Sequence, residues 1–282
     1  MMRVALFLMT NLAVITILGV IMAVLGVNQG SMGGMLVMCA VYGFVGSMIS
    51  LFLSKTMAKR SAGVELITEP QTEEEQWLFR TTQQLSQAAG IDMPEVGIFP
   101  ANEMNAFATG WNKNSALVAV SRGLLDNMTR KEAEAVIGHE IGHVANGDMV
   151  TLSLIQGVMN TFVFFFSMLI ANALSRNDNG GRGMLYYPIQ MAVQMVLGIG
   201  ASIIVSWFSR YREFRADEAG ANLVDKRSMI DALKRLQGPQ VASEMPATMS
   251  AFAINGAGLK EMFSTHPALE KRIAALEAYE VK

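Results

Sequence analysis

The chain has 282 residues, of which 51% are hydrophobic and only 16% charged, too apolar a balance for an ordinary soluble domain. A net charge of −2 and the lack of any long basic cluster argue against a nucleic-acid partner. The single cysteine, Cys39, excludes a disulfide within the chain, and the 22 methionines read as packing residues of core and membrane.

Val4 to Leu25 carries no charge and is long enough to span a bilayer. Arg3 gives it the look of a signal peptide, but the run is too long for an h-region and no convincing small-x-small cleavage site follows, so a retained helix is expected. After the uncharged turn Asn28 to Gly34, Met35 to Leu53 makes a second span, followed at once by Lys55, Lys59 and Arg60. By the positive-inside rule these cations place that end, and Arg3, in the cytoplasm.

From Ala62 the composition turns soluble. Thr72 and three glutamates open a helix with a Trp77, Leu78, Thr81, Leu85 stripe, ended by Gly90. Pro94 to Pro100 contains a short strand, and Met104 to Thr109 and Ala116 to Val120 form two more, joined across the Gly110 to Ser115 turn. Ser121 caps a brief helix through Met128.

Thr129 followed three residues later by Glu132 is a capping box, so a helix begins there. Ala133, Val136, Ile137, Ile141 and Val144 form its apolar stripe, and Gly147 is a natural stop. On this helix His139 and His143 lie about 40° apart in projection and roughly 6 Å apart along the axis. Two imidazoles so placed can grip one metal ion, with Glu140 beside them and not needed as a ligand. The chain has three histidines, and two of them at this spacing around a glutamate point to a catalytic zinc helix, against solvated histidines on a surface helix.

Met149 to Leu174 is a third span, in which Gln156, Asn160 and Asn172 should bond to neighbouring helices or line a wet crevice. Ser175 to Gly183 is an external loop. Leu185 to Phe208 is a fourth span, opened by the interfacial pair Tyr186-Tyr187 and closed by Trp207. The Arg210 to Arg215 cluster marks a return to the cytoplasm. In the tail, Ser228 caps a helix stopped by Gly238-Pro239, Pro246 to Gly258 is loop-like, and His266-Pro267 starts a last amphipathic helix through Ala268, Ile273, Leu276 and Tyr279.

The expected fold is a mainly α membrane protein (α+β) with four transmembrane helices and a mostly helical cytoplasmic domain carrying a small sheet. Residues 1–54 hold two spans, 55–148 the zinc helix, 149–209 a transmembrane hairpin, and 210–282 the remaining ligand. A catalytic zinc takes three protein ligands and keeps one position for water. Glu213 is the strongest carboxylate candidate, and Asp217, one turn on, could accept the free N–H of a ligating histidine. By themselves these acids could equally pair with Arg210, Arg212 and Arg215; the zinc helix, which needs a carboxylate, favours the metal. His266 is open between a cap at its helix start and a donor to a developing oxyanion.

His139-Glu140-x-x-His143 followed by Ala-Asn-Gly-Asp148, then Glu213-Phe-Arg-Ala-Asp217, resembles the HtpX-type integral-membrane zinc metalloproteases, relatives of the prenyl-protein (CaaX) endopeptidases. Asn105 to Gly110 and Thr265 to Ile273 are similar to segments of the same family, and the likeness runs from the first span to the C-terminus. It implies a gluzincin-like domain facing the cytoplasm, one zinc ion held by His139, His143 and Glu213, and Glu140 as general base. It also implies endoproteolysis of misfolded or damaged membrane proteins, and of unfolded chains, in quality control at the bacterial inner membrane. Residues Asn105, Ala106, Phe107 and Ala108 resemble the edge strand to which such proteases add their substrate. Two rivals are an intramembrane protease, which would not carry Arg130, Lys131, Glu132 and Glu134 on its zinc helix, and a non-enzymatic zinc-dependent scaffold, which would have no use for Glu140.

Overall fold

A computed structural model describes residues 31–175, 183–237 and 264–280. The expected span over residues 4–25, the centre of the 175–183 loop, the Gly238-Pro239 stop and the 246–258 stretch lie outside the described residues. In chain order the elements are α1 (Met32–Ala62), β1 (Glu65–Leu66), α2 (Glu73–Ala88), β2 (Glu95–Phe99), β3 (Ala106–Gly110), β4 (Ala116–Ser121), α3 (Arg122–Asn127), α4 (Arg130–Ala145), α5 (Asp148–Leu174), α6 (Tyr186–Leu223), α7 (Lys226–Leu236) and α8 (Leu269–Ala278). Three of them, α1, α5 and α6, are long and apolar enough to cross a membrane. Both α1 and α6 run on past the expected ends of their spans, so the cations at Lys55, Lys59 and Arg60 and the acids at Glu213 and Asp217 ride on continuous helices. The two-residue β1 is too short to leave a periodic signal in the sequence.

The described residues fall into two compact units, divided at Ser50/Leu51, Leu152/Ser153 and Val205/Ser206. In the apolar unit, α1 and α5 approach through glycine. A Cβ on Gly43 would stand 2.5 Å from Thr161 Oγ1 and 2.7 Å from the Gly157 carbonyl oxygen. One on Gly157 would stand 2.8 Å from Ser47 Oγ. Small residues of this kind let two helix backbones touch where water offers no driving force. Of the polar residues of α5, Asn172 reaches the neighbouring α1, with its amide 4.0 Å from Met35 Sδ, and the Gln156 amide donates to Asn160 Oδ1 at 2.9 Å, one turn along α5 itself. Of the Tyr186-Tyr187 pair only Tyr187 is exposed; Tyr186 is fully buried.

The second unit is built on a four-stranded sheet of order β1-β2-β4-β3. β2 pairs parallel with β4, and β3 pairs antiparallel with it from Ala106↔Val120 to Gly110↔Ala116. All six residues of β4 are buried, as a central strand should be, whereas β3 is bonded on one side only among the described residues. Leu78 and Leu85 of α2, Val118 and Val120 of β4, and Ile137, Ile141 and Val144 of α4 share one core. A second cluster, Ala135, Ala221, Met229, Leu233, Ile273 and Leu276, packs α6, α7 and α8 onto the opposite side of α4. The helix caps match the sequence for α2 and α4: Thr72 with Glu75 and Thr129 with Glu132 form capping boxes, and Gly90 and Gly147 take φ of +68° just past the ends. For α7 the cap is Asp225, not Ser228. The Asp225 carboxylate accepts from the Ser228 backbone N–H at 2.7 Å, and Ser228 only adds a hydroxyl bond back to it. A carboxylate reaches the first-turn N–H groups more readily than a hydroxyl placed three residues inside the helix.

Candidate metal centre

Helix α4 carries two glycines, Gly138 and Gly142, on the side that meets the polar end of α6. A Cβ on Gly142 would lie 2.6 Å from the Ala219 Cβ, and one on Gly220 would lie 3.2 Å from the His139 backbone nitrogen. The two backbones therefore touch, and the side chains flanking the contact are forced together. His139 and His143, one turn apart with ring centroids 4.7 Å apart, face Glu213 of α6. His143 Nε2 lies 3.3 Å from Glu213 Oε1, and His139 Nε2 lies 3.7 Å from Glu213 Oε2. One ligand atom from each of the three residues fits within a sphere of mutual distances no greater than 4.8 Å.

The far nitrogens are engaged as well. His139 Nδ1 sits 2.9 Å from Asp217 Oδ1, the arrangement expected from the sequence. His143 Nδ1 sits 2.7 Å from Asp148 Oδ2. Each imidazole thus has its Nδ1 on a buried carboxylate and its Nε2 turned toward Glu213. Arg272 of α8 is buried beside them. Its Nε donates to Asp217 Oδ2 at 2.8 Å, and its Nη1 lies 3.2 Å from Glu213 Oε2. Arg212 donates to the Asp148 backbone carbonyl at 2.8 Å and steadies the start of α5.

Two observations fit a metal cation to these residues. Glu213 Oε2 is buried and accepts no well-aligned hydrogen bond, although His266 Nδ1 and Arg272 Nη1 stand 2.8 and 3.2 Å away. Arg272 offers this oxygen charge without a well-aligned bond, which leaves a lone pair for a further cation. Electrostatics agree: burial alone would lower the His143 imidazole, yet Asp148, Glu213 and Glu140 raise it to about 10. The cluster holds more negative charge than its arginines balance, and a divalent ion is the natural complement. Two imidazole nitrogens and one carboxylate oxygen form the donor set of a catalytic zinc with an open fourth position.

His139 and Glu213 line a cavity of about 800 Å3. Glu140, His266 and Arg272 line it as well. Asn105 and Ala106, where β3 begins, also line it, and Leu124, Met229 and Leu233 are among its apolar lining. The strand itself begins at Ala106, two residues later than the periodicity suggested. Asn105 is still held in line, because its N–H donates to Ser121 Oγ at 2.9 Å and its carbonyl accepts from the Ser121 N–H at 2.8 Å. Phe107 leans instead on Phe99, with ring centroids 5.4 Å apart. Glu140 reaches the cavity without entering the ligand cluster.

His266 does not cap α8: the cap position is Ala268, which offers no side-chain bond. The His266 ring is turned to Glu213 instead, while Ser264 Oγ satisfies the His266 backbone N–H at 3.3 Å. The cations beside Glu213 in sequence do not pair with it either, since Arg210 donates to the Ser264 carbonyl at 2.7 Å and Arg212 to Asp148. Sequence reasoning left Asp148 and Arg272 without roles. Asp148 had one signal, a carboxylate five residues past His143 across a glycine turn. Arg272 had another, an arginine adjoining the apolar stripe of a tail helix.

A HExxH helix crossed by a carboxylate-bearing helix, attached to apolar helices of membrane length, defines a membrane metalloprotease. Residues 72–280 match Peptidase family M48, and the chain belongs to that family. It is 54% identical to Protease HtpX of Acinetobacter baumannii (strain AYE), with 98% of each chain covered. It is 56% identical to Protease HtpX of Pseudomonas paraeruginosa (strain DSM 24068 / PA7), with 99% of each covered. The crystal structure of S. mikatae Ste24p has the same fold at 19% identity, with a TM-score of 0.63 over 86% of this chain and 58% of that one. The HtpX-type resemblance carried by the motifs is therefore borne out.

Proposed function

We propose that this metalloprotease holds one zinc ion with His139, His143 and Glu213 and cleaves peptide bonds of misfolded or damaged membrane proteins, and of unfolded chains. The observation that carries the assignment is the convergence of two Nε2 atoms on one buried carboxylate, His143 on Glu213 Oε1 at 3.3 Å and His139 on Glu213 Oε2 at 3.7 Å, beside a cavity that His139 and Glu213 help to line. Zinc bound there would supply Lewis acidity to the scissile carbonyl and lower the pKa of water to about 7. Glu140 takes the proton of the attacking water and returns it to the leaving amine, a base turned acid within one turnover. Asp217 and Asp148 keep both imidazoles in the Nδ1–H tautomer, and Arg272 fixes Asp217. His266, exposed and lining the cavity, is placed to donate to the carbonyl oxygen as it gains charge. The unpaired side of β3, from Ala106 through Phe107 and Ala108, would bind the substrate main chain to main chain, so selectivity for side chains should be loose.

The decisive assay compares casein or membrane-protein cleavage by the purified protein with zinc, with chelator, and as Glu140→Ala. Cleavage should need zinc and vanish in Glu140→Ala while zinc content stays at one per chain. A Glu140→Ala protein that still cleaves, or that loses its metal, would end the assignment of base and non-ligand. A non-enzymatic scaffold is disfavoured because Glu140 has no part in the ligand cluster. A site buried in hydrocarbon is disfavoured by α4 itself, where Arg130 meets Glu73 at 2.7 Å with both side chains in solvent.

The orientation we infer has this site in the cytoplasm at the inner membrane, with both termini on the same side. His143 stands just before α5, and Glu213 follows the apolar part of α6, so a hairpin of two spans returns both ligands to one side. Arg3, Lys55, Lys59, Arg60, Arg210, Arg212 and Arg215 gather at the span ends there, whereas the opposite loops hold Arg176 and Arg182. Single cysteines at positions 28, 179 and 113, in a Cys39→Ala background, test it with an impermeant thiol reagent on intact cells. Labelling is expected at the first two and not at Lys113; the reverse would invert the topology.

A further inference from the structure

We infer that the β3–β4 turn is a membrane-interface anchor, with Trp111 seated at headgroup level beside Phe52. The turn spans residues 111–115, between Gly110 at the end of β3 and Ala116 at the start of β4. Phe52 lies on α1 at the end of its apolar stretch, and Lys55, Lys59 and Arg60 follow within nine residues, which marks the boundary between hydrocarbon and headgroups. The Trp111 ring lies against Phe52, with centroids 5.6 Å apart, and both side chains are exposed, at 44% and 55%. A second tie fixes the same level. Lys55 Nζ is 3.4 Å from Ser115 Oγ at the far end of the turn and 3.0 Å from Glu95 Oε1, and Lys59 Nζ is 3.0 Å from Glu95 Oε2. The height of Trp111 is therefore set by α1 and not by a free loop.

Gly110 makes the outward turn possible: its φ is +157°, and a Cβ there would stand 2.4 Å from the Ser115 carbonyl oxygen. Leu53 and Met57, on the same stretch of α1, are also exposed, so the aromatic pair continues an apolar surface already expected to meet lipid. An indole is suited to this level, since its rings prefer the acyl boundary and its N–H the wet headgroups. Lys113, exposed in the same turn, has the stem length to reach a lipid phosphate.

The consequence concerns the substrate and rests on β3 being the substrate edge. β3 runs from Ala106, which lines the cavity, to Gly110 beside the anchor, about 13 Å at strand rise. A polypeptide that leaves the bilayer beside Trp111 and pairs with β3 reaches the cavity after a handful of residues. The substrates this geometry suits are extended juxtamembrane stretches, cut close to a transmembrane segment.

The test uses the full-length protein in phosphatidylethanolamine–phosphatidylglycerol vesicles carrying bromine shallow or deep in the acyl chains. The emission component removed by Trp111→Phe should be quenched, and more by shallow than by deep bromine. A Trp111 component untouched by bromine and open to aqueous acrylamide would overturn the anchor. One untouched by bromine yet shielded from acrylamide would identify a protein partner instead, and overturn it equally. In a second arm, Trp111→Ser should keep wild-type casein cleavage in detergent but cut a membrane-anchored substrate in vesicles several-fold more slowly. Equal rates on the anchored substrate would overturn the substrate consequence. If the wild type cleaves neither substrate, the protease assignment fails, and quenching still decides the anchor.

Discussion

Two helix crossings in this protein use the same device for opposite ends. Gly43 and Gly157 let α1 and α5 touch in the apolar unit, and Gly138, Gly142 and Gly220 let α4 and α6 touch in the other. Beside the first pair stand Ser47 and Thr161, whose hydroxyls donate back to carbonyls of their own helices, to Phe44 at 3.0 Å and Gly157 at 2.8 Å. Beside the second stand two histidines and two carboxylates, none of which its own helix can satisfy. A hydroxyl has a partner one turn away; a buried carboxylate needs a charge from another element. Close approach is thus only a means. The residues next to the glycines decide whether it yields a packed seam or a reactive one.

The largest expected effect comes from removing Glu213, the ligand we assign to α6. Glu213→Ala should lose both zinc and cleavage, because two histidines alone hold the metal weakly. Elemental analysis of the purified protein reads this directly, and equal zinc in variant and wild type would sink the ligand assignment.

Wedging the crossings apart sharpens the contrast. Gly142→Val places branched carbon where even a Cβ meets Ala219 at 2.6 Å, so α6 must shift and zinc content should fall with activity. Gly43→Val overpacks the other seam at a cost of about 1–3 kcal/mol, the usual range for such insertions. It should lower Tm in detergent while leaving one zinc per chain. If Gly43→Val emptied the metal centre and Gly142→Val did not, the packed seam and the reactive one would have to be exchanged.

The smallest effects should come from the carboxylates behind the histidines. Asp217→Asn and Asp148→Asn should each weaken zinc affinity by about 10–100-fold, the typical cost of losing an orienting partner. Competition against a fluorescent chelator measures it. A clear difference between the two variants would show that one imidazole is oriented mainly by packing. Unchanged affinity in both would remove the carboxylates from the metal's support.

What the sequence determined by itself is what short-range geometry controls. The capping boxes at Thr72 and Thr129, the stops at Gly90 and Gly147, and the one-turn spacing of His139 and His143 all follow from helical periodicity. The link from Asp217 to His139 was legible too, because Glu213 and Asp217 share a helix face and only one helix needed a carboxylate. The tertiary structure decided the rest. His266 has no local feature that sends it to Glu213; the Arg210 bond to the Ser264 carbonyl draws its turn against α6. Arg272 is an ordinary helix cation until the second core packs α8 onto α4 and buries its guanidinium against Asp217. Burial is what turns such a group from a solvated charge into a fixed one, and burial is a property of how elements meet, which no local spacing encodes.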